Sequence, residues 1–223
     1  MTPLLHKPAG KGIFITIEGP DGSGKSTQID LLVAWLRTRT QPVLVTREPG
    51  GTPAGEAIRA ILLDPVRHAA LADETELFLF AASRAQHVRE RILPALQREE
   101  IVVASRYADA SEAYQGFGRG LPLTLVTQVN FLATGGLMPD LTMILDIDSA
   151  EGLRRAKGVA KETPPGEMDR IEAAGLAFHQ RVRDGYLTIA RREPGRCVVI
   201  DGASPIGTVA HAIRACVTPR FGL

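Results

Sequence analysis

Gly19-Pro-Asp-Gly-Ser-Gly-Lys25-Ser26 constrains this chain more than any other stretch. It follows the apolar run Ile13–Ile17 and opens a segment with Ile29, Leu32, Val33 and Leu36 on one helical face. The pattern G-x-x-x-x-G-K-[ST] therefore stands between a strand and a helix, the setting in which it cradles phosphate. Gly19, Gly22 and Gly24 let the backbone wrap closely and turn its N–H groups inward at a helix N-terminus. Lys25 adds a cation that reaches β- and γ-phosphates, and the Ser26 hydroxyl suits Mg²⁺.

The rest of the chain fits that start. Further strand-like runs are Val43–Thr46, Ile101–Ala104, Leu141–Leu145 and Cys197–Ile200. None alternates strictly, as expected of parallel strands covered on both faces. Amphipathic segments at Thr27–Arg39, Ala54–Leu63, Glu74–Gln97, Leu123–Ala133, Ser149–Lys157, Ile171–Arg192 and Pro205–Cys216 separate them. This alternation predicts an α/β fold with a doubly wound parallel sheet flanked by helices. The 223 residues suffice for one such domain, 1–223, with a mobile flap at about 154–170 where Pro164, Pro165 and Gly166 interrupt the pattern. Gln115–Pro122, with Gly116, Gly118 and Gly120, is predicted as a loop beside the site.

A net charge of +1 gives no bulk electrostatic case for a nucleic-acid polymer or an anionic membrane. Cys197 and Cys216 form no framework of disulfides, and no stretch reads as a signal peptide or membrane span. The expectation is a soluble, cytoplasmic protein.

Four further blocks bear on chemistry. Thr46–Thr52 (TREPGGT) lies at the C-terminal end of the second strand, where open sheets bind ligands; Arg47 there offers a fork for phosphate. Phe80 and Arg84 share a helical face, an arrangement that either stacks a base and bonds its edge or belongs to core and surface. Ser105-Arg106-Tyr107 ends the third strand and leads to Ser111, Tyr114 and Gln115. Arg154, Arg155 and Lys157 precede the flap, where late-arriving positive charge assists phosphoryl transfer.

Together these blocks resemble bacterial thymidylate kinases over nearly the whole chain, most specifically at Thr46–Thr52, Phe80–Arg84, Ala113–Gly116 and Asp169–Glu172. The resemblance implies a P-loop nucleoside-monophosphate-kinase-like fold with a five-stranded sheet, ATP and dTMP as substrates, Mg²⁺ as cofactor, and a homodimer. Carried onto this sequence, Gly19, Asp21, Gly22, Ser23, Gly24, Lys25, Ser26 and Thr27 would hold the ATP phosphates, with Ser26 on the metal. Asp21 would face the sugar hydroxyl, Phe80 would stack on thymine and Arg84 would bond the base edge. Arg47, Arg59 and Arg106 would take the dTMP phosphate with Glu48 nearby, while Ser111 and Gln115 would complete the base pocket. Lys25, Asp21, Arg106 and the flap cation Arg155 are the expected catalytic groups.

Some members carry an arginine within the P-loop, where this chain has the neutral Gly22; Arg155 and Lys157 fit the flap-arginine group instead. Two positions depart from the family pattern. Val159 stands where that group has a second flap arginine, with Lys161 as a possible substitute, and Ser105 stands where an aspartate usually helps hold Mg²⁺. Glu18 and Asp146 are the carboxylates available to replace it. A same-fold kinase for dUMP or a 5-substituted dUMP, and a nucleotide-binding protein with weakened catalysis, remain open at this point.

Overall fold

The computed structural model describes residues 12–39, 42–66, 70–160 and 169–223. Five parallel strands form one sheet: β1 (Ile13–Glu18), β2 (Val43–Arg47), β3 (Ile101–Ser105), β4 (Leu141–Asp146) and β5 (Cys197–Asp201), in the order β2-β3-β1-β4-β5. The predicted runs are these strands, each extended by one residue at its C-terminal end.

Side chains alternate across β1, and both sets are buried. Ile15 and Ile17 pack with Ile29, Leu32 and Leu36 of α1 (Lys25–Arg37) and with Val209, Ile213 and Val217 of α9 (Ile206–Phe221). Phe14 faces the other way, against Val88, Ile92, Leu96 and Tyr107. Burial of both faces explains why the three central strands β1, β3 and β4 read as continuous apolar runs; the edge strands β2 and β5 are only partly covered.

The remaining helices are α2 (Pro53–Leu63), α3 (Asp73–His87), α4 (Leu93–Gln97), α5 (Ala108–Ser111), α6 (Leu123–Thr134), α7 (Ser149–Ala160) and α8 (Leu176–Arg192). Between α3 and α4 the helical path widens into a π segment at Val88–Ile92, just before Pro94. Proline has no N–H to give, and its ring crowds the carbonyl of the preceding turn; the wider segment accommodates both. The predicted rod Glu74–Gln97 thus persists with a local change of winding.

Two expectations need correction. The glycine-rich stretch is helical rather than a loop as far as Gly118: α5 runs into a π segment at Glu112–Gly118. Its glycines serve close packing, since a Cβ at Gly118 would come within 2.7 Å of the Phe178 ring on α8. In return, Gly185 of α8 leaves room for Phe117. The segment Ile171–Arg192 is also not one helix. A 3₁₀ turn at Glu172–Ala174 ends at Gly175, whose φ of +86° breaks the run before α8 begins. Of the predicted flap, residues 161–168, Lys161 included, lie outside the described residues.

This winding opens a crevice at the C-terminal edge of the sheet. The connection after β1 leads toward β2, whereas the connection after β3 leads toward β4, so the chain departs in opposite directions from two adjacent strands. Open α/β sheets bind ligands at such a switch point. Glu18 and Arg106, at the ends of these strands, mark its two sides.

Candidate active site

The phosphate loop runs from Gly19 to Gly24 and is shaped by positive φ at Gly19 (137°), Gly22 (74°) and Gly24 (89°). Helix α1 starts directly after Gly24, without a side-chain cap and without an acidic residue in its first turn. Its first backbone bond is donated by Gln28 N–H to the Gly24 carbonyl, leaving the earlier N–H groups to face an anion. A side chain at Gly22 would drive into the backbone of Gly152 on α7, so an arginine does not fit at that position.

Lys25 folds back over the loop, its Nζ donating to the carbonyls of Pro20 (2.8 Å) and Gly19 (3.0 Å). Burial, with Arg106 as a nearby like charge, brings its ammonium down to about 7. A polyphosphate supplies the opposite charge this cation needs.

Beside the loop lies a cavity of about 180 Å³. It gathers residues from five separate segments: Asp21 of the loop, Glu48 and Pro49 after β2, Arg59 of α2, Phe80 of α3, and Arg106, Ser111, Tyr114 and Gln115 after β3. Asp169, Ile171 and Glu172, which follow the predicted flap in sequence, line it as well. Seven residues expected in an acceptor pocket, Asp21, Glu48, Arg59, Phe80, Arg106, Ser111 and Gln115, therefore share one hollow.

Arg106 joins the cavity to the loop. Its Nη1 donates to the Gly19 carbonyl (3.0 Å) and Tyr186 Oη (3.1 Å), and its Nη2 to Asp21 Oδ1 (2.5 Å) and Tyr114 Oη (2.9 Å). The Tyr114 hydroxyl then donates to Asp21 Oδ2 (2.9 Å). Arg106 holds φ at +69°, a conformation costly for a residue with a Cβ and here fixed by surrounding bonds. Burial opposes ionisation of Asp21, but Arg106, Lys25 and the Tyr114 hydroxyl outweigh it and keep the carboxyl below the usual carboxylate range.

Charge across the cavity is unevenly matched. Burial, then the like charge of Arg47 and more weakly that of Arg106, lower Arg59, while Glu56 and Asp169 act the other way. Opposite, burial raises Asp169 and Glu172, and the Asp21 carboxylate adds to both shifts. An anion between Arg59 and Arg106 relieves the first repulsion, and a group with hydroxyls suits the acidic wall.

Three of the expected arginines do not line this cavity. Arg47 is exposed and held outward by Glu56, its Nη2 donating to both carboxylate oxygens at 3.1 and 3.0 Å. Arg84 lies behind the wall, fully buried: Nε donates to Glu48 Oε2 (2.8 Å), Nη1 to Ser111 Oγ and Asn130 Oδ1, and Nη2 to the Tyr107 carbonyl. Its four-residue spacing from Phe80 gave the shared helix face but not the depth. Arg155 sits on α7 and donates to Glu151 and to the Gly202 carbonyl.

Several supporting groups carry no local motif. His87, also buried, has Nδ1 3.0 Å from Glu48 Oε1 and Nε2 2.6 Å from Thr46 Oγ1. Glu18 accepts from Tyr107 N–H (2.6 Å) and Tyr186 Oη (2.8 Å). Burial and then the Asp109 charge push its carboxyl up to about 7, against Arg106 and those two bonds. Asp146 is taken by a two-pronged pair from Arg183 (2.7 and 2.8 Å). Both carboxylates considered as replacements at Ser105 are thus already engaged. Ser105 and Ser26 border one groove beside Arg47.

Comparison with known proteins gives the same direction. The family model described as thymidylate kinase matches residues 17–213. This chain belongs to the thymidylate kinase family. A thymidylate kinase of Deinococcus radiodurans is 49% identical over 210 residues, covering 94% of this chain and 98% of that protein. One from Desulfosudis oleivorans is 50% identical over 206 residues, covering 92% and 96%. The crystal structure of thymidylate kinase from Ehrlichia chaffeensis superimposes with a TM-score of 0.74 at 34% identity, covering 93% of this chain and 98% of that one. The fold is therefore that of the P-loop nucleoside monophosphate kinases, as the sequence led us to expect.

Proposed function

We propose that this member of the thymidylate kinase family transfers the γ-phosphoryl group of ATP to the phosphate of dTMP, giving dTDP and ADP. The observation that carries the assignment is Arg106: one guanidinium bonds the phosphate loop and lines the neighbouring cavity. Donor and acceptor phosphates held on either side of it meet in line.

Gly19–Thr27 takes the ATP phosphates, and Lys25 exchanges its bonds to loop carbonyls for bonds to phosphate oxygens. The dTMP phosphate lies between Arg59 and Arg106, its sugar toward Asp21 and its base against Phe80, with Ser111 and Gln115 at the base edge. Arg84 holds Glu48 and Ser111 in place from behind. An acceptor phosphate oxygen attacks the γ-phosphorus as the bond to the bridging oxygen breaks. Lys25 and Arg106 neutralise the charge shared among attacking, transferring and leaving oxygens, and Arg155 and Lys157 add charge from the flap side.

Mg²⁺ fits the donor set, because Ser26 and Ser105 offer hydroxyl oxygens at one groove and a magnesium ion retains waters and phosphate ligands. Among the described residues no cluster of three or more His, Cys, Asp or Glu side chains is placed to enclose a metal, so Ser26 would hold the ion together with the nucleotide. When bound, it neutralises charge on the β- and γ-phosphates. A homodimer belongs to the same reading: Phe78 of α3 and Phe131 and Leu132 of α6 are exposed on adjoining helices.

The test is ADP release from ATP and Mg²⁺ with dTMP, dUMP, dCMP and dGMP offered in turn. The expected result is the highest kcat/KM with dTMP and little turnover without an acceptor. ATP hydrolysis indifferent to the monophosphate would overturn the assignment.

A further inference from the structure

Glu76, near the start of α3, is fully buried, yet every polar group facing it is a donor. Gln115 Nε2 donates to its Oε1 at 2.7 Å; Arg119 donates to both oxygens at 3.3 and 3.0 Å. Arg170 approaches Oε2 as an ion pair at 2.5 Å. Burial works against the ionised form, but Arg119, Gln115 and Arg170 more than compensate and hold the carboxyl below its usual range.

A carboxylate only accepts hydrogen bonds, so the amide end of Gln115 has to face Glu76. Gln115 lines the cavity, and its carbonyl oxygen is the end left for a ligand. Resting on the base-edge role of Gln115 in the proposed function, we propose that Glu76 is a positioning residue that sets the Gln115 amide and so selects pyrimidines bearing a hydrogen on ring position 3. Thymine and uracil present N3–H to that oxygen; cytosine presents an N3 lone pair, which it repels. A site built to accept that hydrogen rejects the base lacking it, because the carbonyl stays unpaired.

Glu76→Gln tests this. The new amide can itself donate to the Gln115 carbonyl, freeing Gln115 to turn its NH₂ toward the cavity. The readout is kcat/KM for dTMP divided by that for dCMP, measured on protein shown by circular dichroism to be folded. The ratio is expected to fall about tenfold or more, roughly the worth of one hydrogen bond, with dCMP turnover rising in absolute terms. The exchanged pair Glu76→Gln/Gln115→Glu keeps one carboxylate and one amide, again leaves an acceptor toward the cavity, and restores the preference.

Equal losses for both substrates in Glu76→Gln would overturn the inference, since a purely structural role predicts them. Should that variant not fold, a folded exchanged pair without the dTMP preference overturns it equally. Wild-type enzyme that makes no dTDP removes the functional reading and this inference together. An active wild type with an unchanged ratio in Glu76→Gln removes this inference alone.

Discussion

Replacing Arg84 by methionine separates two roles for that residue. Methionine keeps much of the apolar stem but supplies no donor. Glu48 Oε2, Ser111 Oγ, Asn130 Oδ1 and the Tyr107 carbonyl all lose a bond from the guanidinium. Glu48 is only 5% exposed, so water replaces the lost partner poorly, and its other oxygen keeps His87 alone. Breaking a buried ion pair from one side costs about 3–5 kcal/mol. For a fold stabilised by about 5–15 kcal/mol this is a large fraction. Urea unfolding followed by far-ultraviolet circular dichroism should show a midpoint lowered by roughly 1–2 M. Adding Glu48→Gln, which removes the stranded charge, should recover part of the loss. A loss under about 1 kcal/mol, together with a large rise in KM for dTMP, would refute the reasoning. Arg84 would then be a ligand of the base, as its spacing from Phe80 suggested.

Three other outcomes follow from the same geometry. Phe80→Ala should raise KM for dTMP roughly tenfold or more with kcat little changed, since stacking on one ring is worth about 1–3 kcal/mol; steady-state kinetics check it, and an unchanged KM would show the base lies elsewhere. Glu18, raised from 4.5 to about 7, retains its proton in the folded state across that interval, so its stabilising contribution is complete below 4.5 and is lost as pH rises through 7. The shift corresponds to roughly 3 kcal/mol; Glu18→Gln should flatten Tm between pH 5 and 7, and a wild-type slope in the variant would contradict this. Ser105→Asp should lower the Mg²⁺ concentration for half-maximal rate by roughly tenfold, the worth of one charge-assisted contact, as read from a Mg²⁺ titration; an unmoved midpoint would show that the position does not bear on the metal.

The strands and the phosphate loop were legible because their causes are local. A five-residue apolar run and a glycine pattern ahead of a helix carry their own explanation. Gly116 and Gly118 were not legible: a glycine that opens a turn looks like one that admits Leu123 or Phe178 until α6 and α8 are in place. Arg47 and Arg59 illustrate the same limit at the site. Both are arginines near the β2–α2 turn, yet Glu56 holds Arg47 outward while Arg59 reaches the cavity. Tyr186, His87 and Glu76 come from helix positions with ordinary amphipathic spacing. Their importance arises only when the fold brings Arg106, Glu48 and Gln115 against them.

The most direct measurement is a crystal structure of this protein with dTMP and a non-hydrolysable ATP analogue. The account places the pyrimidine on Phe80 within reach of Gln115, the monophosphate between Arg59 and Arg106, and the triphosphate on Gly19–Thr27. A dTMP molecule bound away from Phe80 and Arg106 would contradict it.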